Sequence, residues 1–180
     1  MVKNIEPNLK LISDYLKLEN HVKFEIPEYQ RGYSWNITQC DKLWQDLETF
    51  IDSGASDPYF FGTIIIHCST EKNKSSLIDG QQRTITFLLL LKALLLKLNE
   101  VLNNFKSDDA TEALGEGLKE NRNIILSILY KADVDKRIEI LRNWDTVKGI
   151  SIIENNSINE QYKDEIKHII EAKDYNTAEN

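Results

Sequence analysis

Two short stretches put charged and amide side chains where chemistry could be done. The first is Asp79-Gly80-Gln81-Gln82-Arg83, set between a brief apolar approach and a long leucine run. The second is Gln30-Arg31, flanked by Tyr29, Tyr33 and Trp35. A helix opening at the first stretch presents unpaired N–H groups and the positive end of its dipole, which together attract phosphate. Gly80 lets a ligand approach the backbone closely. Arg83, one turn in, can fork onto a phosphate with two parallel bonds, and Gln81 and Gln82 can each donate and accept. A carboxylate at Asp79 repels phosphate unless it holds Mg2+ or accepts from a ribose hydroxyl; activating a water is a third role open to it. The same residues also allow a plainer reading. Asp79 can be an N-cap with the Gln82 amide reaching back to it, contributing about 1 kcal/mol and no chemistry.

The second stretch has the same two faces. A guanidinium among aromatic rings suits phosphate binding with base stacking. An Arg31 stacked on Trp35 and paired with a surface acid is the plain alternative. Two donor-rich segments that both contain Gln-Arg favour one shared anion site.

Positioning these residues takes a scaffold, and apolar periodicity outlines it. Leu9, Ile12, Tyr15, Leu16 and Leu18 recur at helical spacing, predicting a first helix after Pro7. Val22 to Ile26 alternates as a strand that Pro27 ends. A second helix is expected to open at Thr38, with Thr38 and Asp41 as a capping pair. Residues 59–68, YFFGTIIIHC, read as a strand too continuously apolar to be half exposed. A polar turn at 71–75 and a short strand at 76–78 complete a hairpin. The leucine-rich helix then runs to about Leu102. Lys92 and Lys97 interrupt its apolar run, which falls short of the roughly 20 residues a membrane span requires, so it reads as a buried helix. Beyond Asn103 the texture changes: a polar loop, a helix opening near Ala110, an apolar helical segment at 124–130, an ambiguous segment at 137–141, and an amphipathic tail over 150–173. The expected class is α+β, a small mixed sheet flanked by helices and followed by a helical C-terminal segment. The expected division is a core over residues 1–103 and a helical extension over 104–180.

Bulk properties narrow the function. A net charge of −7 argues against non-specific nucleic-acid binding by the whole surface, which needs clustered Lys and Arg. Cys40 and Cys68 form no CxxC pair and suit a reduced, cytoplasmic setting. His21, His67 and His168 lack metal-ligand spacing. Residues 1–10 contain no apolar stretch of signal-peptide length.

Three segments together, IPEYQRGYSW, FFGTIII and LIDGQQRTIT, resemble the N-terminal domain of GmrSD-type restriction proteins in order and approximate spacing. That bacterial family is marked by its DGQQR motif. The resemblance covers about residues 9–102 and is loose beyond. It implies a fold similar to that of ParB and sulfiredoxin, with nucleotide phosphates bound at a helix N-terminus. It implies a nucleoside triphosphate ligand (GTP, UTP, CTP or ATP), with Mg2+ as a candidate companion, and a possible NTPase activity. It also implies a role in phage defence against modified DNA, with cutting done by an HNH-type nuclease domain downstream or in trans. On this reading Asp79 and Gln82 are the catalytic candidates and Asp79 the metal ligand. Gln30, Arg31, Gly80, Gln81, Arg83, Tyr33 and Trp35 are the nucleotide-binding candidates. Two departures stand out: Gly32 replaces the family's proline after Gln-Arg, and Thr84-Ile85-Thr86 replaces Leu-Thr-Thr. With no His-Asn-His constellation in these 180 residues, the chain is expected to be a fragment or a stand-alone sensor half. Two other classes stay open: a non-catalytic module that senses DNA modification, with Tyr29, Tyr33 and Trp35 stacking on bases, and a dimerisation scaffold in which the isoleucine-rich tail makes a homodimer interface.

Overall fold

The computed structural model describes residues 6–16, 23–69, 74–106, 111–158 and 161–179. His21, Leu18, the strand start at Val22, the first part of the turn at 71–75 and the helix start near Ala110 lie outside the described residues.

A four-stranded mixed sheet carries the site. Its strands are β1 (Lys23–Ile26), β2 (Ile65–Ser69), β3 (Lys74–Asp79) and β4 (Ile153–Asn155), in the order β2-β3-β1-β4. β2 and β3 pair antiparallel as the expected hairpin, whereas β1 runs parallel to both β3 and β4. Period-two alternation sends Phe24, Ile26, Ser75 and Leu77 to one buried face. Helix α3 (Gln81–Asn104) joins that face in one apolar cluster through Ile85, Leu88 and Leu95. The remaining helices are α1 (Ile12–Leu16), α2 (Ile37–Asp52), α4 (Glu112–Leu129), α5 (Val134–Arg142), α6 (Lys163–Glu171) and α7 (Tyr175–Glu179). The mixed α+β class matches the expectation.

One apolar cluster unites Phe24, Leu77 and Leu88 with Leu126, Leu129, Ile152 and Ile170, so packing runs across residue 103. Tail isoleucines Ile152, Ile166 and Ile170 are buried in this cluster. They are therefore committed to the chain's own core and not available for the interface the scaffold reading gave them.

Three local expectations are corrected and one ambiguity is resolved. The strand expected over 59–68 is confined to Ile65–Ser69 and lies at the sheet edge, leaving Ile65 and Ile66 38% and 37% exposed. Gly62 at φ 110° breaks the extended run before it. The cap of α2 lies two residues earlier than Thr38, because Asn36 accepts from Thr38 N and the Gln39 side chain accepts from Asn36 N, completing a reciprocal cap. The ambiguous 137–141 segment is helical within α5, with Asp133 accepting from Lys136 N as its cap. The tail is not helical throughout: Ile153–Asn155 extends the sheet beside β1, and Phe24 N donates to Ile152 O at 2.9 Å. Three residues are too few for any periodicity to announce a strand.

Candidate functional site

The corner between β3 and α3 has no connecting loop. The strand ends at Asp79, the helix begins at Gln81, and Gly80 alone turns the chain at φ 85°. A Cβ there would lie 2.9 Å from Ile64 Cγ1, so glycine is required both by conformation and by space. Asp79 is not the cap: Gly80 is, and it has no side chain with which to cap the first turn. The first helical bond runs from Thr84 N to Gly80 O at 3.0 Å, which leaves the N–H groups of Gln81, Gln82 and Arg83 without intrahelical partners.

The three amide side chains stitch a second loop onto this corner. Gln82 Oε1 accepts from Ser34 N at 2.8 Å and its Nε2 donates to Gly32 O at 3.0 Å. Gln81 Nε2 donates to Arg31 O, and Gln30 Nε2 donates to Ile78 O at 2.8 Å. Each such bond contributes on the order of 1 kcal/mol net, and together they hold the 30–34 loop beside the start of α3. The glutamines, expected to meet a ligand directly, spend their amides on backbone about 50 positions away. Because Gln81 Nε2 must donate to the Arg31 carbonyl, its Oε1 is fixed on the other side, buried and without a partner among the described residues. A buried unsatisfied acceptor costs about 1–3 kcal/mol.

The result is a small open cleft of about 120 Å³, lined by Gln30, Arg31, Trp35, Ile78 and the whole Asp79–Arg83 run. Arg31 and Arg83, from separate segments, thus reach one space. They are not equivalent. Arg83 Nη1 donates to Thr63 O at 2.9 Å, and its guanidinium packs where a Gly62 side chain would be. Arg31 is exposed, and its guanidinium makes no hydrogen bond or ion pair with the described residues, although its carbonyl is held by Gln81. Asp79 is likewise exposed at the rim. Trp35, half-buried, forms a wall. Tyr33 does not line the cleft: its hydroxyl bonds Thr86 Oγ1 at 2.9 Å and Cys40 Sγ at 3.5 Å, tying α2 to the first turns of α3. Tyr29 is 70% exposed and also outside the lining.

The hydroxyls near the motif are structural. Thr84 Oγ1 donates back to Gly80 O and meets Tyr15 Oη, each at 3.0 Å, and Thr86 Oγ1 donates to Gln82 O at 2.9 Å. Burial pushes the Tyr15 phenol well above its ordinary range, so it stays protonated and able to donate. Thr84 and Ile85 are both buried away from the cleft, so the exchange of a hydroxyl between them leaves the lining unchanged. Sequence reasoning missed Ser157, whose Oγ donates to Gln30 O at 2.6 Å from the far end of the chain. It also missed the Gly62-Thr63 segment under Arg83. Neither carries a local signal, because each acts through backbone carbonyls brought near only by folding.

Comparison with known families matches residues 10–180 to the GmrSD restriction endonuclease, N-terminal domain. The chain belongs to this family. Membership makes it a component of a restriction system, and the match extends well past the region in which the three motifs lie. No curated protein matches the chain. In this GmrSD N-terminal domain, no helix among the described residues is long and apolar enough to cross a membrane. No group of three or more His, Cys, Asp or Glu among the described residues could hold a metal by itself.

Proposed function

We propose that the cleft binds the phosphates of a nucleoside triphosphate, and that this GmrSD N-terminal domain is the nucleotide-responsive part of an anti-phage restriction system acting on modified DNA. One observation carries the reading: an uncapped 24-residue helix opens into a cleft shared by two arginines, one of them unpaired among the described residues. Unpaired N–H groups, a helix dipole and a free guanidinium all favour a multiply charged anion. The phosphates would sit at the start of the helix, with the base on the half-buried Trp35 wall, which offers a stacking face.

Asp79 is the single carboxylate at the cleft among the described residues. Mg2+ commonly sits between one or two carboxylates and substrate phosphates, so the donor set fits that ion, with Asp79 as its protein ligand. Bound there, the ion would supply charge neutralisation to the phosphates. The chain's own residues divide the remaining work. Arg31 clamps, Arg83 adds positive field while anchored to Thr63 O, Gly80 leaves the backbone open, and Gln30, Gln81 and Gln82 hold the Arg31 loop in place. Gln82 acts on hydrolysis, if the domain turns nucleotide over, by positioning that loop. DNA cutting is assigned to an HNH-type nuclease domain downstream or in trans.

Calorimetry with GTP, UTP, CTP and ATP, with and without Mg2+, tests the reading. At least one should bind, and Arg31→Ala should weaken it without lowering the melting temperature. Equal binding by wild type and Arg31→Ala would remove the cleft as the nucleotide site.

A further inference from the structure

Helix α2 is amphipathic, yet most of its apolar face is left uncovered. Of Ile37, Cys40, Leu43, Trp44, Leu47, Phe50 and Ile51, only Leu43 is buried. At about 100° per residue these side chains fill one continuous arc. Its inner edge, Leu43 and Phe50, is turned to the chain's own body, where Phe50 stacks on Tyr59 with ring centroids 5.5 Å apart. The outer edge is the seven-residue repeat Ile37, Trp44 and Ile51, exposed by 80%, 43% and 72%. Cys40 and Leu47 lie half-buried between the two edges. This is the a/d spacing of a helix seam on which no second helix lies among the described residues.

The charge beside the strip says what can cover it. Asp41, Glu48 and Asp52 border its outer edge, and none of them forms an ion pair with the described residues; Asp41 accepts only from Gln45 Nε2 at 2.8 Å. Lys42 is the only basic residue of the helix. Two copies of α2 paired face to face bring these acidic borders together, on chains that each carry −7. An anionic membrane is repelled in the same way. A helix with an apolar seam and flanking Lys or Arg satisfies both the strip and its border.

We propose that the outer face of α2 docks a cationic amphipathic helix of a partner, its apolar seam on Ile37, Trp44 and Ile51 and its basic flank over Asp41, Glu48 and Asp52. The test uses the 180-residue chain and two fluorescein-labelled designed helices with identical leucine seams, one flanked by lysines and one by glutamates. Fluorescence anisotropy should show the lysine helix binding at least about tenfold more tightly, a difference that shrinks in high salt. Ile37→Ser/Ile51→Ser should weaken it about tenfold or more. Both side chains are exposed, so the variant keeps its fold, as circular dichroism would verify. Asp41→Lys/Glu48→Lys/Asp52→Lys should reverse the preference between the helices. Equal binding of the two helices, or undiminished binding by the serine variant, overturns the assignment. So does a dimer, detected by light scattering, that the serine variant dissolves, because the strip would then belong to a second copy.

Discussion

Lys92 is fully buried in the middle of α3, and its effect on stability has a sign that pH can reveal. Its Nζ donates to Tyr130 Oη at 2.9 Å and to Ala172 O, and lies 4.7 Å from the Trp144 ring centroid. No carboxylate among the described residues is its partner, and desolvation lowers its pKa from 10.5 to about 7. In the unfolded chain the same amine titrates near its ordinary value. Between about pH 7 and pH 10.5 the unfolded state therefore holds more protons than the folded one, and stability rises with pH across that window. Below it the amine is charged in both states and the penalty is complete. Integrating the linkage from pH 7 to pH 9 gives a gain of about 2 kcal/mol from this one group. For a chain of this size that is roughly 4–8 °C in melting temperature. Lys92→Met keeps the length of the side chain and removes the titration. Thermal melts of both proteins at pH 7, 8 and 9 should show the wild type gaining those degrees relative to the variant. Parallel pH profiles would refute the reasoning, because every other titrating group is common to the two proteins.

Three further outcomes follow from the corner itself. Arg31→Ala, at an exposed and unpaired side chain, should lower nucleotide affinity by about tenfold, or about 1.4 kcal/mol by calorimetry, with no change in melting temperature. Gly80→Ala should cost about 1–3 kcal/mol in denaturant unfolding, since the new Cβ meets Ile64 while the backbone stays left-handed. Gln82→Ala strands Ser34 N and Gly32 O and should cost about 1–3 kcal/mol; Gln82→Glu keeps the acceptor for Ser34 N but sets a buried carboxylate oxygen against Gly32 O, and should be at least as costly in the same assay.

Local signals served where local physics decides. The leucine helix behind Gly80, the hairpin before it and the junction at the DGQQR run could be read because period and glycine placement are properties of neighbours in the chain. The cap at Asn36 was misplaced by two residues because Asn36/Gln39 and Thr38/Asp41 offer the same chemistry in overlapping frames. The edge position of β2 was hidden because three consecutive isoleucines look alike whether a helix covers them or not. The use of the amides was hidden for a different reason. Gln81 and Gln82 serve carbonyls and an N–H in residues 31–34, and no side-chain pattern marks a backbone partner. Lys92 interrupts the apolar run and argues against a membrane span, but nothing in its neighbours shows that it is sealed inside.

The bond from Ser157 to the carbonyl of Gln30, beside a strand added to β1 by residues 153–155, sets an order of events during synthesis. A nascent chain can form the hairpin and start the long helix early. It cannot seat the arginine loop in its final frame until residue 157 has cleared the ribosome, because Ser157 is the fastener that lies furthest along the chain. A nascent molecule shorter than that would lack a finished binding corner, whatever of the hairpin and the long helix it had already formed.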